Sequence, residues 1–133
     1  LSVFDDIRYV SAEADFDEFC NVNKENDKRR SVSSFFVNLM KEGVLESDKV
    51  IDIILTLISK FTKYISKEGS RNEVDEIGEN LFILIEESAD VLLGHESGSF
   101  IDGFVESVAN MNYKEYVSLT SKTVFKFMDL SEQ

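Results

Sequence analysis

Residues 47–65 read SDKVIDIILTLISKFTKYI, and this stretch decides the fold class. Its apolar side chains include Ile51, Ile54, Ile58 and Phe61, which recur at intervals of three and four residues. That spacing places them on one face of an α-helix. Further isoleucines and leucines fall between them, so the predicted helix is apolar around more than half of its circumference. A helix of this kind packs against neighbours on two sides.

The sequence on both sides of this stretch carries similar helical spacing. Apolar stripes occur in residues 12–22, 26–43, 70–94, 97–111 and 121–130. Gly43 and Gly69 are expected to end two of these helices, because glycine adopts the left-handed conformation that closes a helix. The sequence pattern of residues 112–119 predicts a short helical turn or a loop. With no proline, six glycines and only weak strand patterns, the sequence predicts an all-α protein.

The predicted helices pair along the chain into antiparallel helical hairpins. The pairs cover residues 12–43, 47–94 and 97–130. Units of about 35–50 residues made of two antiparallel helices are the repeats of HEAT-type α-solenoids. We therefore expect residues 1–133 to form a single helical-repeat domain, with about three hairpins stacked as a short solenoid, as a piece of a longer one. A helical bundle is the structural alternative.

The charge of the chain restricts its partners. Its 133 residues include 26 acidic and 14 basic residues, for a net charge of −12. Phosphate contacts require clustered lysine and arginine, so we expect at most weak direct RNA binding. No membrane association is expected, because an anionic surface repels the chain and no apolar run reaches the roughly 18–20 residues of a span. The single cysteine, Cys20, cannot form an internal disulfide, which predicts a cytoplasmic protein.

Residues able to perform chemistry are few. His95 is the only histidine, and with Cys20 it provides too few ligands for a zinc site, so we expect a solvent-facing loop residue. Glu86, Glu87 and Asp90 share a helix face, which predicts a solvated surface, with a docking patch for a basic partner as the main alternative. Cys20 lies near phenylalanines at helical spacing and is expected to pack in the core. We predict no catalytic residue, no metal, no cofactor and no enzymatic activity.

One segment departs from the acidic background. Residues 23–30 read NKENDKRR. Lys28, Arg29 and Arg30 fall in the first turn of the helix predicted to begin near residues 26–27, where cations oppose the helix dipole. This unfavourable placement indicates a function or a tertiary salt bridge. The simplest interpretation is an ion pair with the acidic helix before it.

Two stretches resemble the middle, HEAT-repeat domain of eukaryotic translation initiation factor 4G. Residues 19–43, in which NDKRR at 26–30 leads into FFVNLMK at 35–41, are similar to inner repeats of that domain. The ending SKTVFKFMDL at 121–130 is similar to its last helix. The resemblance covers residues 16–130 and corresponds to the C-terminal part of the family's domain.

The resemblance implies a non-enzymatic scaffold in translation initiation. The family's middle domain binds initiation factor 4A, a DEAD-box RNA helicase, and its C-terminal repeats face the helicase's N-terminal lobe. Of the loops expected along one edge of the solenoid, we predict that the basic one contacts the helicase. The predicted partner-binding residues are Lys24, Asp27, Lys28, Arg29 and Arg30.

A piece of a longer solenoid has a first repeat without its neighbour. The apolar side of that repeat is then uncovered. Phe4, Ile7, Tyr9 and Val10 are expected either to cover it or to mediate self-association.

Two other classes of protein stay open. A helical bundle with a groove for a partner helix, as in cell-death regulators, needs a central helix that is apolar all round, and residues 50–65 come close to this description. A structure with one helix wrapped by the others favours that class. An acid-base enzyme is the second alternative, for which the sequence offers acidic clusters without a nucleophile or a ligand set.

Overall fold

The computed structural model describes residues 7–10 and 13–132, and helices account for 73% of the structure. The helices are α1 (Phe16–Lys41), α2 (Ser47–Tyr64), α3 (Arg71–Glu87), α4 (Ala89–Leu92), α5 (Gly98–Ala109) and α6 (Ser121–Ser131), with a 3₁₀ turn at Tyr113–Glu115. The described residues contain no strand, so the prediction of an all-α protein is confirmed. None of the described helices has the length and apolar character needed to cross a membrane.

The long helix α1 is continuous where the sequence predicts two helices. The Asp15 side chain caps its start by accepting a hydrogen bond from the backbone N–H of Glu18 at 3.1 Å. The helix then continues through residues 23–27, where a boundary is predicted. This polar segment contains neither glycine nor proline, so nothing in it forces the backbone out of the helical conformation. Residues 28–30 therefore lie in the middle of a helix, and the prediction that they occupy a first turn is wrong.

The ends of α1 and α2 agree with the sequence. Gly43 and Gly69 have φ angles of +77° and +79°, the left-handed conformation expected after a helix. The helix predicted over residues 70–94, however, breaks at Ser88, and the chain continues as the short α4. The Ser88 hydroxyl donates a hydrogen bond to the carbonyl of Leu84, a side-chain bond of the kind that bends helices.

The helix α3 has the most neighbours. It contacts α1, α2 and α6, while α5 packs against α6. The rings of Phe61 on α2, Phe104 on α5 and Phe127 on α6 meet with centroid separations of 5.5–5.7 Å. Phe61 and Phe127 are fully buried. These aromatic contacts join α2 to the pair formed by α5 and α6.

The loop between α5 and α6 is tied to α3 and to the corner before it. The Ser118 hydroxyl accepts a hydrogen bond from the N–H of Ser70 at 3.0 Å and donates to the carbonyl of Lys67. The hydroxyl groups of Thr120 and Thr123 donate to one carboxylate oxygen of Asp75, at 2.5 and 2.7 Å. These bonds fix the start of α6 against α3.

Candidate protein-binding site

The five residues predicted to bind a partner lie on different sides of α1. Lys24, Asp27 and Lys28 are exposed, whereas Arg29 is only 1% exposed and Arg30 is partly buried. Because a helix turns about 100° per residue, the adjacent Lys28 and Arg29 cannot share a face. The structure therefore separates the cations that the sequence predicts to form one compact group.

Arg29 belongs to the interior. Its Nη1 atom donates a hydrogen bond to Oδ1 of Asn26 at 2.7 Å. A guanidinium group removed from water is stable only where acceptors satisfy its N–H groups. Arg29 is consequently shielded from any partner that approaches the surface of α1.

Arg30 reaches across to α3. Its Nε atom donates to Oε1 of Glu76 at 3.1 Å, and its Nη2 atom donates to Oε2 at 2.5 Å. Two parallel bonds of this kind fix geometry as well as charge. The hydrogen bonds to Glu76 raise the pKa of the Arg30 guanidinium above its ordinary value, against the opposing effect of partial burial. This tertiary salt bridge differs from the pairing with the preceding acidic segment that the sequence favours.

Glu76 is part of a buried polar network that sequence reasoning missed. Glu76 is 5% exposed, and Asn80 and Ser33 are fully buried. The Asn80 Nδ2 atom donates to Oε1 of Glu76 at 3.2 Å, and its Oδ1 accepts from the Ser33 hydroxyl at 2.8 Å. The signal available in the sequence is the i, i+4 spacing of two polar residues among apolar core positions of α3. The network aligns α1 on α3, since any shift would leave buried polar groups without partners.

A stripe of exposed residues remains open on α1. It contains Lys24, Asp27, Lys28, Ser31 and Phe35, which recur at helical spacing, and we call it the α1 stripe. The Phe35 side chain is 56% exposed. Neither lysine forms an ion pair with any residue in the described part of the chain. An exposed ring can pack on a partner while the free charges steer its approach.

The acidic residues of α3 and α4 border a concave site. Glu86 and Asp90 line a cavity together with Asp102 and Glu106 of α5, whereas Glu87 lies outside it. The solvated helix face predicted from the sequence is therefore in part the rim of a cavity.

His95 is not the solvent-facing residue that the sequence predicts. Its side chain is 16% exposed, and its Nε2 atom lies 2.8 Å from Oδ1 of Asp48. Because Nδ1 accepts a hydrogen bond from the N–H of Ser97 at 3.0 Å, the hydrogen-bond pattern assigns the proton of the neutral ring to Nε2. His95 thus ties the connection between α4 and α5 to the start of α2.

The remaining candidates for chemistry are not assembled into a metal site. Cys20 is half-buried on α1. Within residues 7–10 and 13–132, no group of three or more His, Cys, Asp or Glu side chains is arranged to hold a metal ion.

Comparison with known proteins identifies no relative of the chain, because no family model, no curated protein and no solved structure matches it.

Proposed function

We propose that the chain is a non-enzymatic scaffold of translation initiation, which docks a DEAD-box RNA helicase of the initiation factor 4A type in the cytoplasm. The resemblance of residues 16–130 to the middle domain of initiation factor 4G supports this proposal. The structural observation that most directly supports the proposal is the order in which the helices pack.

The helix contacts support a short solenoid of HEAT type. The helices α1, α3 and α6 make one row, since α3 contacts both of the others. The helices α2 and α5 make a second row. The helix α2 packs on α3 and α5 packs on α6, and the contact between the rings of Phe61 and Phe104 joins α2 to α5. Stacked helical hairpins place alternate helices in two rows of this kind. In this arrangement α2 pairs with α3 and α5 pairs with α6, while α1, a single helix where the sequence predicts the first hairpin, extends the row of α3.

The alternative of a groove-type bundle requires one helix wrapped by the others. The helix α2, on which that alternative depends, keeps a water-facing stripe formed by Asp52, Thr56, Ser59 and Lys63. These positions recur at intervals of four, three and four residues, so one whole face of α2 lacks a covering helix. An open arrangement of two rows accounts for this face, whereas a bundle closed around α2 does not.

The α1 stripe is the surface proposed to contact the helicase. The net charge of −12 steers a basic lobe toward the molecule, and the stripe then supplies local contacts, in which Lys24 and Lys28 face carboxylates of the lobe and Phe35 packs on its surface. Arg30 acts indirectly, because its hydrogen bonds to Glu76 hold α1 in place on α3, and Arg29 is buried. A contact surface on a rigid helix is positioned more accurately than one on a loop.

Self-association through an end of the rows is part of the same proposal. On α6, Phe125 and Met128 are exposed. At the other end, Ile7 packs against the core and Arg8 pairs with two glutamates of α1, so the segment of residues 7–10 covers part of the first repeat. Phe4 lies outside the described residues. A second copy of the chain would therefore pack on the face of α6.

Charge reversal on the α1 stripe tests the docking surface. We expect the double variant Lys24→Glu, Lys28→Glu to bind a purified helicase of the initiation factor 4A type at least about fivefold more weakly, as is typical of charged contact residues. Isothermal titration calorimetry at physiological salt measures this affinity. Both lysines are exposed, so the thermal midpoint should stay within about 2 °C of that of the unmodified chain.

The matched control reverses two exposed lysines outside the stripe, Lys49→Glu and Lys114→Glu, with the same change in net charge. Its affinity should remain within about twofold of that of the unmodified chain, since it keeps the contact surface. Equal losses in the two variants would assign the effect to net charge. Failure of the unmodified chain to bind the helicase would reject the proposed function.

A further inference from the structure

A cavity of about 440 Å³ lies between α3, α4, α5 and the end of α6. Its floor is apolar and consists of Ile85, Leu92, Val105 and Leu130, each no more than 7% exposed. The volume falls within the roughly 300–1,000 Å³ of typical ligand pockets. The cavity is therefore large enough to accept an apolar side chain with its neighbours.

Four carboxylates surround this floor. Glu86, Asp90, Asp102 and Glu106 line the cavity and are exposed to solvent. None of them forms an ion pair with a lysine or arginine in the described part of the chain. Residues 72–113 contain no lysine or arginine at all, so local sequence cannot supply a counter-charge. The rim thus concentrates uncompensated negative charge around an apolar surface.

Small residues begin both α4 and α5, the two short helices that line the cavity. Gly98 begins α5 so close to α4 that a Cβ atom on it would lie 2.0 Å from the carbonyl oxygen of Leu92. Ala89, which follows the helix break at Ser88, presents only a methyl group to the cavity. A large side chain at position 89 would fill the space.

We propose that this cavity docks a short basic segment of a protein partner. One apolar side chain of the segment packs on the floor, and the lysines or arginines beside it face the four carboxylates. An uncharged apolar segment would leave the rim without counter-charge, and a polycation without an apolar group would leave the floor in contact with water. A segment with both features complements both surfaces. The inference goes beyond helicase docking, because the cavity shares no residue with the α1 stripe.

The probe is a fluorescein-labelled peptide of sequence KRKLFKRK, titrated with the full chain and followed by fluorescence anisotropy. We expect saturable binding that weakens as salt is raised, because the rim contacts are exposed. A second peptide replaces the central leucine and phenylalanine with serine and glycine, and it should bind at least tenfold more weakly. Equal binding of the two peptides, or of the polyamine spermine, would overturn the proposal, and so would absence of binding. No helicase is present, so the result is independent of the proposed function.

The first test variant removes the four rim charges at nearly constant shape, with Glu86→Gln, Asp90→Asn, Asp102→Asn and Glu106→Gln. It should bind the peptide at least tenfold more weakly. A control variant neutralises four exposed acids elsewhere, with Glu42→Gln, Glu46→Gln, Asp52→Asn and Glu68→Gln. It should bind within twofold of the unmodified chain. Equal losses in both variants would overturn the proposal, because binding would then follow net charge alone.

A second test variant, Ala89→Phe, fills the cavity and leaves every charge in place. It should weaken peptide binding at least fivefold while circular dichroism shows an unchanged helix content, since Ala89 is exposed. Unchanged affinity for the peptide would show that the floor is not used and would overturn the proposal.

Discussion

Arg29 and Arg30 change what a charge-reversal experiment on α1 measures. If Lys28, Arg29 and Arg30 all lay on the surface, as the sequence indicates, reversing the three charges together would cost little stability. Arg29 is buried and Arg30 is bound to the buried Glu76, so the triple reversal would place negative charge inside the contact between α1 and α3. Removing one member of a buried ion pair is strongly destabilising. The docking experiment is therefore confined to Lys24 and Lys28.

Gly98 offers a second test at the level of a single atom. The variant Gly98→Ala should lower the free energy of unfolding by about 1–3 kcal/mol, since its Cβ would overlap the carbonyl oxygen of Leu92. The control is Gly103→Ala in the same helix, where nothing lies within 4 Å of the added atom. Alanine there should raise the free energy of unfolding by about 0.4–1 kcal/mol, because it favours the helix. Urea unfolding followed by circular dichroism measures both, and a change of the same sign in the two variants would contradict the close approach.

At the level of helices, the aromatic contact of Phe61, Phe104 and Phe127 holds α2 to α5 and α6. The variant Phe127→Ala should lower the free energy of unfolding by about 3–5 kcal/mol, the range for a buried phenylalanine. Phe125, two residues away on the same helix, is 57% exposed. The variant Phe125→Ala should therefore change the free energy of unfolding by no more than about 0.5 kcal/mol. Thermal and urea unfolding distinguish the two. Similar losses would mean that the two faces of α6 are not as described.

The helices α2, α5 and α6 could be predicted because their own apolar spacing marks the buried face. The continuity of α1 could not, since its polar middle has no apolar stripe and is held by distant groups. Arg8 pairs with Glu18 and Glu25, and Arg30 binds Glu76, which lies 46 positions along the chain. For the same reason the sequence named five candidate residues of α1 without showing which of them face the solvent. A local pattern carries no information on partners that only folding brings near.

For the whole molecule, the net charge of −12 predicts a stability that rises with salt. Like charges repel one another in the compact state, and salt screens this repulsion. Raising NaCl from about 0.02 to about 0.5 M should increase the thermal midpoint by roughly 2–6 °C, which corresponds to about 1 kcal/mol. Differential scanning calorimetry measures the change, and the variant with four neutralised rim acids should show a smaller one. A thermal midpoint that falls as salt is raised would contradict this prediction.

The same net charge argues for at most weak direct RNA binding.

The pairing of Arg30 with Glu76 also affects how the chain is made. A ribosome releases the N-terminus first, so α1 emerges before its partners on α3. At 5–20 residues per second, the 46 positions between the two residues correspond to about 2–9 s of synthesis. During that interval Arg29 and Arg30 stay hydrated, because the α3 residues that later cover this face have not yet been made. The polar middle of α1 also limits its hydrophobic association before folding. The helix α1 is thus synthesised before the partner that fixes its position in the fold.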